Sequence, residues 1–408
     1  MGSADAAVAA VWRVESARLV AGLARLTGDV GLAEELAQDA LVAALEQWPV
    51  GGVPPNPAGW LMTTAKRRAI DRHRRDRSFR DKLAVLAGAE DEDPMTAVDD
   101  RLDDHIGDDL LRLVFTACHP ALAVPARIAL VLRAVGGLTT AEIARAYQVP
   151  ESTVAQRIVR AKRALAGVGF ELPLAAEFDA RLGSVLEVVY LVFNEGYVAT
   201  SGPAWARPEL CREAMRLGRV VAGLAPAAPE AHGLVALMEL QASRLAARVD
   251  AAGRPVLLAD QDRRRWDRLL IRHGLAALDR AVSLGVPVGP YTVQAAIAAC
   301  HARAVSVAET NWPEIVSHYD ALVAVWPSPV VKLNRAVAVG MASGPAAGLA
   351  LVDGLVERGV LAGNAQIPAV RGEFLDRLGR REEAAAEFHR AASLTTNEAE
   401  RSVFLRRA

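Results

Sequence analysis

The sequence predicts an all-α protein with two small helical domains, the second containing a helix-turn-helix, and a C-terminal α-helical, repeat-like domain. Ala, Leu and Arg, which are strong helix formers, are abundant, whereas aromatic residues make up only 5% of the chain. Apolar residues recur at three- and four-residue spacing, as in amphipathic helices. Since 408 residues exceed one ordinary core, several domains are expected.

Charge is strongly segregated along the chain, although the net charge is only -1. Basic residues cluster between Lys66 and Arg80, and an acidic stretch from Glu90 to Asp109 follows. The overall charge therefore says nothing about nucleic acid. The local basic run does indicate a surface that could hold a phosphate backbone.

The three cysteines, Cys118, Cys211 and Cys300, lie far apart without CxxC spacing. This pattern favours reduced thiols in a cytosol over a disulfide framework. Cys118 beside His119 offers two ligands without a second pair, so we expect no metal site and no cofactor. Met1 to Val14 lack the features of an export signal, and no apolar run reaches the roughly twenty residues that span a bilayer. A cytoplasmic location is expected.

Composition and periodicity divide the chain into five segments. The loop from Pro49 to Pro57 is expected to interrupt helix inside the first segment, because proline removes a backbone donor. The predicted segments are a helical domain at 1–80, an acidic flexible linker at 81–107, a domain with the helix-turn-helix at 108–168, a helical extension at 169–300, and tetratricopeptide-like repeats at 301–408.

The repeat prediction depends mainly on one hairpin near the C-terminus. Small and large residues fall there at the offsets of a tetratricopeptide unit, namely Gly372, Gly379, Ala384, Phe388 and Ala391. The small residues would let two helices approach, and the large one would fill the gap between them.

A helix-turn-helix is predicted from Leu138 to Leu165. Thr139 or Thr140 can cap the first helix, with Glu142 near the end of its first turn. The apolar positions needed to join two helices across a short turn are Ile143, Ala144, Tyr147, Val149, Val154 and Ile158. In such a motif the second helix enters the major groove of DNA.

The outward face of the second helix is polar and basic. It carries Ser152, Thr153, Gln156, Arg157, Arg160, Lys162 and Arg163. Gln and Arg can form bidentate contacts with base edges, and the later cations suit phosphates. An ordinary solvated helical hairpin is the alternative, but spacing, turn and polar face together favour DNA binding.

Two stretches of the helical domain at 1–80 resemble bacterial RNA polymerase sigma factors of the extracytoplasmic-function type. Ala33 to Trp48 is similar to the helix with which these proteins bind core polymerase, and Asn56 to Arg75 is similar to the helix that follows it. The family keeps two sigma domains joined by a linker. The resemblance covers residues 1 to about 168.

The resemblance implies roles for both segments. The core-polymerase-binding face would comprise Glu34, Glu35, Gln38, Asp39 and Glu46, and a plain solvated helix face is the alternative. Promoter bases would be read by the loop from Pro49 to Pro57, including Asn56, with phosphates held by Lys66, Arg67, Arg68, Arg72, Arg74 and Arg75. Trp60 could pack in the core or stack on a base. The loop is richer in Pro and Gly than the commoner family pattern.

Three segments of the remaining chain, Tyr190 to Tyr197, Arg207 to Ala214 and Leu258 to Trp266, resemble a subgroup of these sigma factors that has a long C-terminal helical extension. Its polar residues could line a functional groove or be buried or capping residues, and they are Asn194, Glu195, Asp260, Gln261, Asp262 and Trp266. No nucleophile, base and orienting group occur together, so the chain is not expected to be an enzyme.

Together these features predict a sigma factor that binds core RNA polymerase and promoter DNA. The extension is expected to regulate it, by docking on the sigma domains or by binding another protein. The alternative is a helix-turn-helix regulator with a helical sensing domain that acts without core polymerase. A helical-repeat enzyme or scaffold would require both N-terminal motifs to be accidental.

Overall fold

The computed structural model describes residues 3–408 except 88–105, 148, 199–204, 251–253, 286–287, 360 and 362. Regular structure in the described part is helical, with one isolated bridge between Val249 and Pro255. The chain forms two compact units, Met1–Val188 and Val189–Ala408. The predicted all-α class is confirmed.

The first three helices pack together at the start of the first unit. They are α1 (Ser3–Thr27), α2 (Val30–Gly51) and α3 (Pro57–Ala87). Asp29 caps α2, because its Oδ1 accepts hydrogen bonds from the backbone N–H groups of Gly31 (2.6 Å) and Leu32 (3.1 Å). The predicted break at Pro49 comes later, since Pro49 lies in the last turn of α2, where it removes only one backbone donor.

Four further helices follow the segment that was predicted to be a linker. They are α4 (Ile106–Ala117), α5 (Val124–Ala134), α6 (Thr140–Tyr147) and α7 (Glu151–Leu165). Helix α3 continues past the expected boundary at 80 to Ala87, and residues 88–105 of the predicted linker lie outside the described residues.

The first unit also includes the beginning of α8 (Ala175–Tyr197). Phe178 packs edge-on against Phe115 with ring centroids 5.2 Å apart. Ser184 donates to the carbonyl of Cys118 (2.9 Å), and Arg181 donates to that of Phe115 (3.0 Å). Since these contacts join α8 to α4, the compact unit ends near 188 instead of at the predicted boundary of 168.

The second unit continues with helices and three short 3-10 turns. Its helices after α8 are α9 (Pro208–Leu224), α10 (Pro229–Ala242), α11 (Arg268–Ser283), α12 (Pro290–Arg303), α13 (Trp312–Val325), α14 (Pro329–Ser343), α15 (Pro345–Glu357), α16 (Gln366–Arg377), α17 (Arg381–Leu394) and α18 (Glu398–Arg407). From α12 to α18 each helix packs on the next one along the chain. This arrangement is that of stacked helical hairpins.

The C-terminal hairpin packs as its small residues predict. A Cβ on Gly372 would lie 2.9 Å from the ring of Phe388, so only glycine allows α16 and α17 to approach this closely. Phe388, Ala384 and Ala391 are buried. Gly379, between the helices, has a φ of +79°, which a glycine adopts without strain.

Candidate functional site

The helix-turn-helix begins with a reciprocal cap at Thr139. The Thr139 hydroxyl accepts a hydrogen bond from the backbone N–H of Glu142 (3.1 Å), and Glu142 Oε2 accepts one from the backbone N–H of Thr139 (2.8 Å). Two backbone donors that a helix start leaves unpaired are thereby satisfied. The sequence left Thr139 and Thr140 open as caps, and Thr139 is the one used.

The predicted apolar stripe joins α6 to α7. Ile143, Val154 and Ile158 are buried, and Tyr147 and Val149 are half-buried beside them. The N–H of Val149 donates to the carbonyl of Ala144 (3.1 Å), which closes the turn. The packing fixes which side of α7 faces outward.

The outward side of α7 is narrower than the sequence suggested. Ser152, Gln156, Arg160 and Arg163 are exposed, whereas Thr153, Arg157 and Lys162 are half-buried. Arg157 borders a small cavity of about 200 Å³ together with Tyr147 and other residues of α5 and α6. Val159 is 45% exposed and lies between Ser152 and Arg163 on the same face. This apolar residue was not among those predicted for the outward face.

Helix α2 has one exposed face with mixed chemistry. Glu35, Asp39 and Glu46 are exposed there, as expected for a partner-binding surface. Val42 (48% exposed) and Leu45 (42%) lie on the same side and were not predicted. Val42 lies three positions after Asp39 and Leu45 three positions after Val42, and this helical spacing would have identified both.

Glu34, one position before Glu35, is buried. Its Oε1 accepts hydrogen bonds from Arg133 Nε (2.7 Å) and from Gln38 Nε2 (2.7 Å), and its other oxygen is paired with the Lys162 ammonium group. Burial by itself would raise the pKa of Glu34. The charges and hydrogen bonds of Lys162 and Arg133 outweigh this, so the pKa lies below its ordinary value.

A second buried acid also joins the first three helices to the next four. Asp109 on α4 is 3% exposed and pairs with Arg25 of α1 at 3.0 Å and with Arg112 at 2.9 Å. Together, Glu34 and Asp109 hold the helices of the two predicted sigma domains in one compact unit.

The basic helix α3 pairs with the exposed acids of α2. Arg72 lies 3.0 Å from Glu35, and Arg68 lies 3.6 Å from Asp39. Lys66 is half-buried and Arg67 is exposed. Two further cations were predicted to contact phosphates, Arg74 and Arg75, and their side chains lie outside the part that the structure describes.

Asn56 and Trp60 lie at the start of α3. Asn56 Oδ1 accepts a hydrogen bond from the N–H of Gly59 (2.9 Å), so this side chain caps the helix. Trp60 is half-buried and packs edge-on against buried Trp48, with ring centroids 5.5 Å apart. This contact corresponds to core packing, which is one of the two roles considered for Trp60.

The polar residues of the extension do not all converge. Glu195 is buried in an ion pair with Arg207, and Trp266 is 3% exposed. Asp262 caps a short turn by accepting from the N–H of Arg264 (3.0 Å). Gln261 is also buried, whereas Asn194 and Asp260 are exposed.

The three cysteines are buried and form no disulfide. Burial raises the pKa of Cys118 and Cys211 to about 12 and that of Cys300 to about 11. In the described part of the chain, the groups close enough to share a metal ion include Cys300 with Glu314 and His318. These three donors leave a tetrahedral ion one ligand short.

Comparison with known proteins identifies both N-terminal domains. Residues 14–79 match sigma-70 region 2, and residues 112–165 match sigma-70 region 4. The chain is 31% identical to the ECF RNA polymerase sigma factor SigL of Mycobacterium tuberculosis, over 35% of this chain and 76% of SigL. The chain belongs to the ECF sigma factors. It is thus a sigma factor that binds core RNA polymerase and promoter DNA and directs transcription initiation, and this family is not a class of enzymes.

Other relatives extend the comparison of this sigma factor. The probable ECF RNA polymerase sigma factor SigI of Mycobacterium tuberculosis is 31% identical over 38% of this chain and 53% of SigI. An uncharacterized protein of Rhizobium meliloti (strain 1021), R00370, is 47% identical over 93% of this chain and 89% of its own. Residues 181–282 match a family of unknown function, DUF6596.

One solved structure is similar to the helical chain. It is a tetratricopeptide repeat protein from Parabacteroides merdae, with a TM-score of 0.36 and 13% identity over 66% of this chain and 98% of that one. At this score the similarity supports no further argument. Within the described residues, no helix is long and apolar enough to cross a membrane.

Proposed function

We propose that the exposed face of α2 binds core polymerase, and that Glu35, Asp39 and Glu46 provide its charges. The observation that carries this proposal is that these acids share one helix face with exposed Val42 and Leu45. An apolar strip with a charged border is typical of protein interfaces, whereas a purely solvated helix has no need of exposed valine and leucine.

Promoter recognition is assigned to α7 and to the start of α3. On α7 we expect Gln156 and Arg160 to contact base edges and Arg163 to contact phosphate, and Val159 offers an apolar contact for a thymine methyl group. Ser152, Thr153 and Arg157 stay in the predicted set around them. At the downstream element the loop after α2 would read bases, including those near Asn56 and Trp60, while Lys66, Arg67, Arg68 and Arg72 hold the backbone.

The ion pairs of Glu34 support two functional forms of the first unit. Lys162 and Glu34, predicted to contact DNA and core polymerase respectively, are paired with each other here. Neither side chain can serve its predicted partner while this pair persists. We therefore propose that the described form is closed, and that binding of core polymerase separates α2 from α7.

The C-terminal unit is proposed to bias this equilibrium, by docking on the sigma domains or by binding another protein. A bias of this kind requires contacts that differ between the closed and open forms. The rival function, a regulator acting without core polymerase, is not favoured because a simple regulator needs no match to sigma region 2. A cytoplasmic site of action follows from the proposed partners.

The test of the core-binding face is charge reversal on α2. Glu35→Lys combined with Asp39→Lys should reduce co-purification with core polymerase and promoter-dependent transcription at least about tenfold, which corresponds to about 1.4 kcal/mol. A matched control is Glu171→Lys combined with Asp179→Lys, two exposed acids of the same unit outside α2. If both double variants retained helicity and bound core polymerase equally well, the exposed face of α2 would not be the core-binding surface.

A further inference from the structure

Buried arginines collect in the second unit around two aromatic rings. The guanidinium carbon of Arg248 lies 3.7 Å from the ring centroid of Tyr197. Arg263 and Arg244 lie 5.0 Å and 5.7 Å from the ring of Trp266. Arg248 and Arg263 are each 6% exposed, which is unusual for charged side chains that have no acid within 4 Å in the described part of the chain.

Arg263 is held only by neutral acceptors among the described residues. Its Nη1 donates to the backbone carbonyls of His301 (2.9 Å) and Ala304 (2.7 Å), and its Nη2 donates to the hydroxyl of Thr310 (2.9 Å). Its Nε is buried and has no hydrogen-bond partner. A buried cation in this state costs folding free energy unless an anion compensates it.

Arg263 borders a cavity of about 340 Å³. This volume is within the range of small-molecule sites. The wall is mostly apolar and comes from helices far apart in sequence, with Trp312, Val337, Met341, Phe374, Val403 and Phe404 among its residues. An occupant would therefore have an apolar body.

The acids of this cavity already have partners. Glu373 accepts from Arg377 Nε at 2.8 Å and also pairs with Arg407. Glu400 accepts from Gln366 Nε2 at 3.0 Å. Arg407 also lies 3.7 Å from Asp376. Of the arginines on the wall, Arg263 is therefore the one with no acid within 4 Å among the described residues.

Two further buried groups on the wall lack partners. The indole Nε1 of Trp205, which can only donate, has none among the described residues, and neither has Nδ1 of His301. Burial, reinforced by Arg244 and Arg263, lowers the pKa of His301 to about 3, so this ring is neutral at physiological pH. Arg263 and Trp205 thus each keep a buried donor that has no acceptor among the described residues.

We propose that this cavity binds a small organic acid, with its carboxylate at Arg263 and its apolar body against Trp312 and Phe374. A carboxylate supplies the ion-pair partner that Arg263 lacks among the described residues, and charge-assisted hydrogen bonds are among the stronger ones. The second unit is thus a sensor for a metabolite that carries a carboxylate on an apolar body. The proposal depends on this unit alone and stands apart from the roles assigned to α2 and α7.

The test uses the full-length protein and 3-phenylpropionate, with 3-phenylpropionamide as the uncharged probe. Saturation-transfer NMR and calorimetry should show the acid binding at least about tenfold more tightly than the amide, as expected for loss of one charge-assisted hydrogen bond. Octanoate and octanamide, which have the same head groups on a flexible chain, should behave alike.

A matched pair of variants on α14 locates the site. Val337→Trp places an indole in the cavity and should weaken acid binding at least about tenfold, whereas Val330→Trp, at an exposed position of the same helix, should leave it unchanged. Equal binding of acid and amide, no binding of either acid at millimolar concentration, or binding that survives Val337→Trp would overturn the proposal. So would binding of an apolar peptide or of inorganic phosphate in place of both acids.

Discussion

Neighbouring residues of the same charge have opposite surroundings on α2 and on α7. Glu34 is buried between two cations, whereas Glu35 is exposed and pairs with Arg72. On α7, half-buried Lys162 holds Glu34, whereas Arg163 is exposed. The difference shows that residue type and position in a motif do not separate a charge that holds two domains together from one that is available to a partner.

Solvent explains why these neighbours differ in energy. An exposed ion pair is screened by water and contributes between zero and about 1 kcal/mol. A buried charge that loses its partner keeps the full cost of its desolvation, so breaking such a pair costs about 3–5 kcal/mol. The buried pairs should therefore govern stability, and the exposed residues should govern binding.

The largest expected effect is that of removing the Glu34 charge. Glu34→Gln leaves Arg133 and Lys162 largely buried without an acid, so we expect the α2–α7 contact to lose about 3 kcal/mol. Hydrogen exchange of the α2 and α7 amides, read by mass spectrometry, measures this loss directly. Glu35→Gln is the control and should cost less than about 1 kcal/mol. Equal protection in the two variants would contradict the comparison.

Acid should reproduce part of the Glu34→Gln effect. Because the folded-state pKa of Glu34 lies below its ordinary value of 4.5, its stabilising contribution is fully present above pH 4.5 and is lost as the pH falls through the folded-state pKa. Protection of α2, corrected for intrinsic exchange rates, should therefore fall more steeply below pH 4.5 in the wild type than in Glu34→Gln. Parallel curves would count against the ion pair.

Base reading by α7 should give the next largest effect. Gln156→Ala removes an exposed side chain from the proposed recognition face, so discrimination between promoter variants should fall by about 1–3 kcal/mol. The measurement is transcription from a promoter library with core polymerase. A uniform loss of transcription over all promoters would show that Gln156 contacts the DNA backbone and does not read bases.

The smallest effect separates Lys162 from Arg163. Arg163→Ala should reduce the salt dependence of DNA binding by about one phosphate contact, both in the free protein and with core polymerase. Lys162→Ala should do so only with core polymerase, because in the closed form its ammonium group is paired with Glu34. Identical salt slopes for the two variants of the free protein would show that this pair does not hold Lys162 away from DNA.

Features set by residues close in sequence could be predicted. The cap between Thr139 and Glu142 and the apolar stripe through Ile143 lie within the α6–α7 hairpin, and the contact of Gly372 with Phe388 lies within the α16–α17 hairpin. Spacing and side-chain size decide such contacts, so a pattern in the sequence is enough to find them.

Features set by distant residues could not be predicted. Glu34 stands beside Glu35 in a segment that reads as an acidic surface, and its partner Arg133 is 99 positions away. The organic-acid cavity likewise draws its wall from Trp205 through Arg407. The inclusion of the start of α8 in the first compact unit was missed for the same reason, because nothing near Phe178 in sequence indicates that it packs on Phe115.

Because all three cysteines are buried, the proposed separation of α2 from α7 can be measured directly. Thiols with a pKa of about 11 or 12 are protonated at neutral pH and react slowly with maleimides, because only the thiolate attacks the maleimide ring. Cysteines introduced at exposed Gln47 of α2 and at exposed Ala164 of α7, outside the proposed binding residues, would therefore be labelled selectively without replacing any native cysteine. A donor and acceptor dye at these two positions would report the separation of α2 from α7 as core polymerase is added, one molecule at a time.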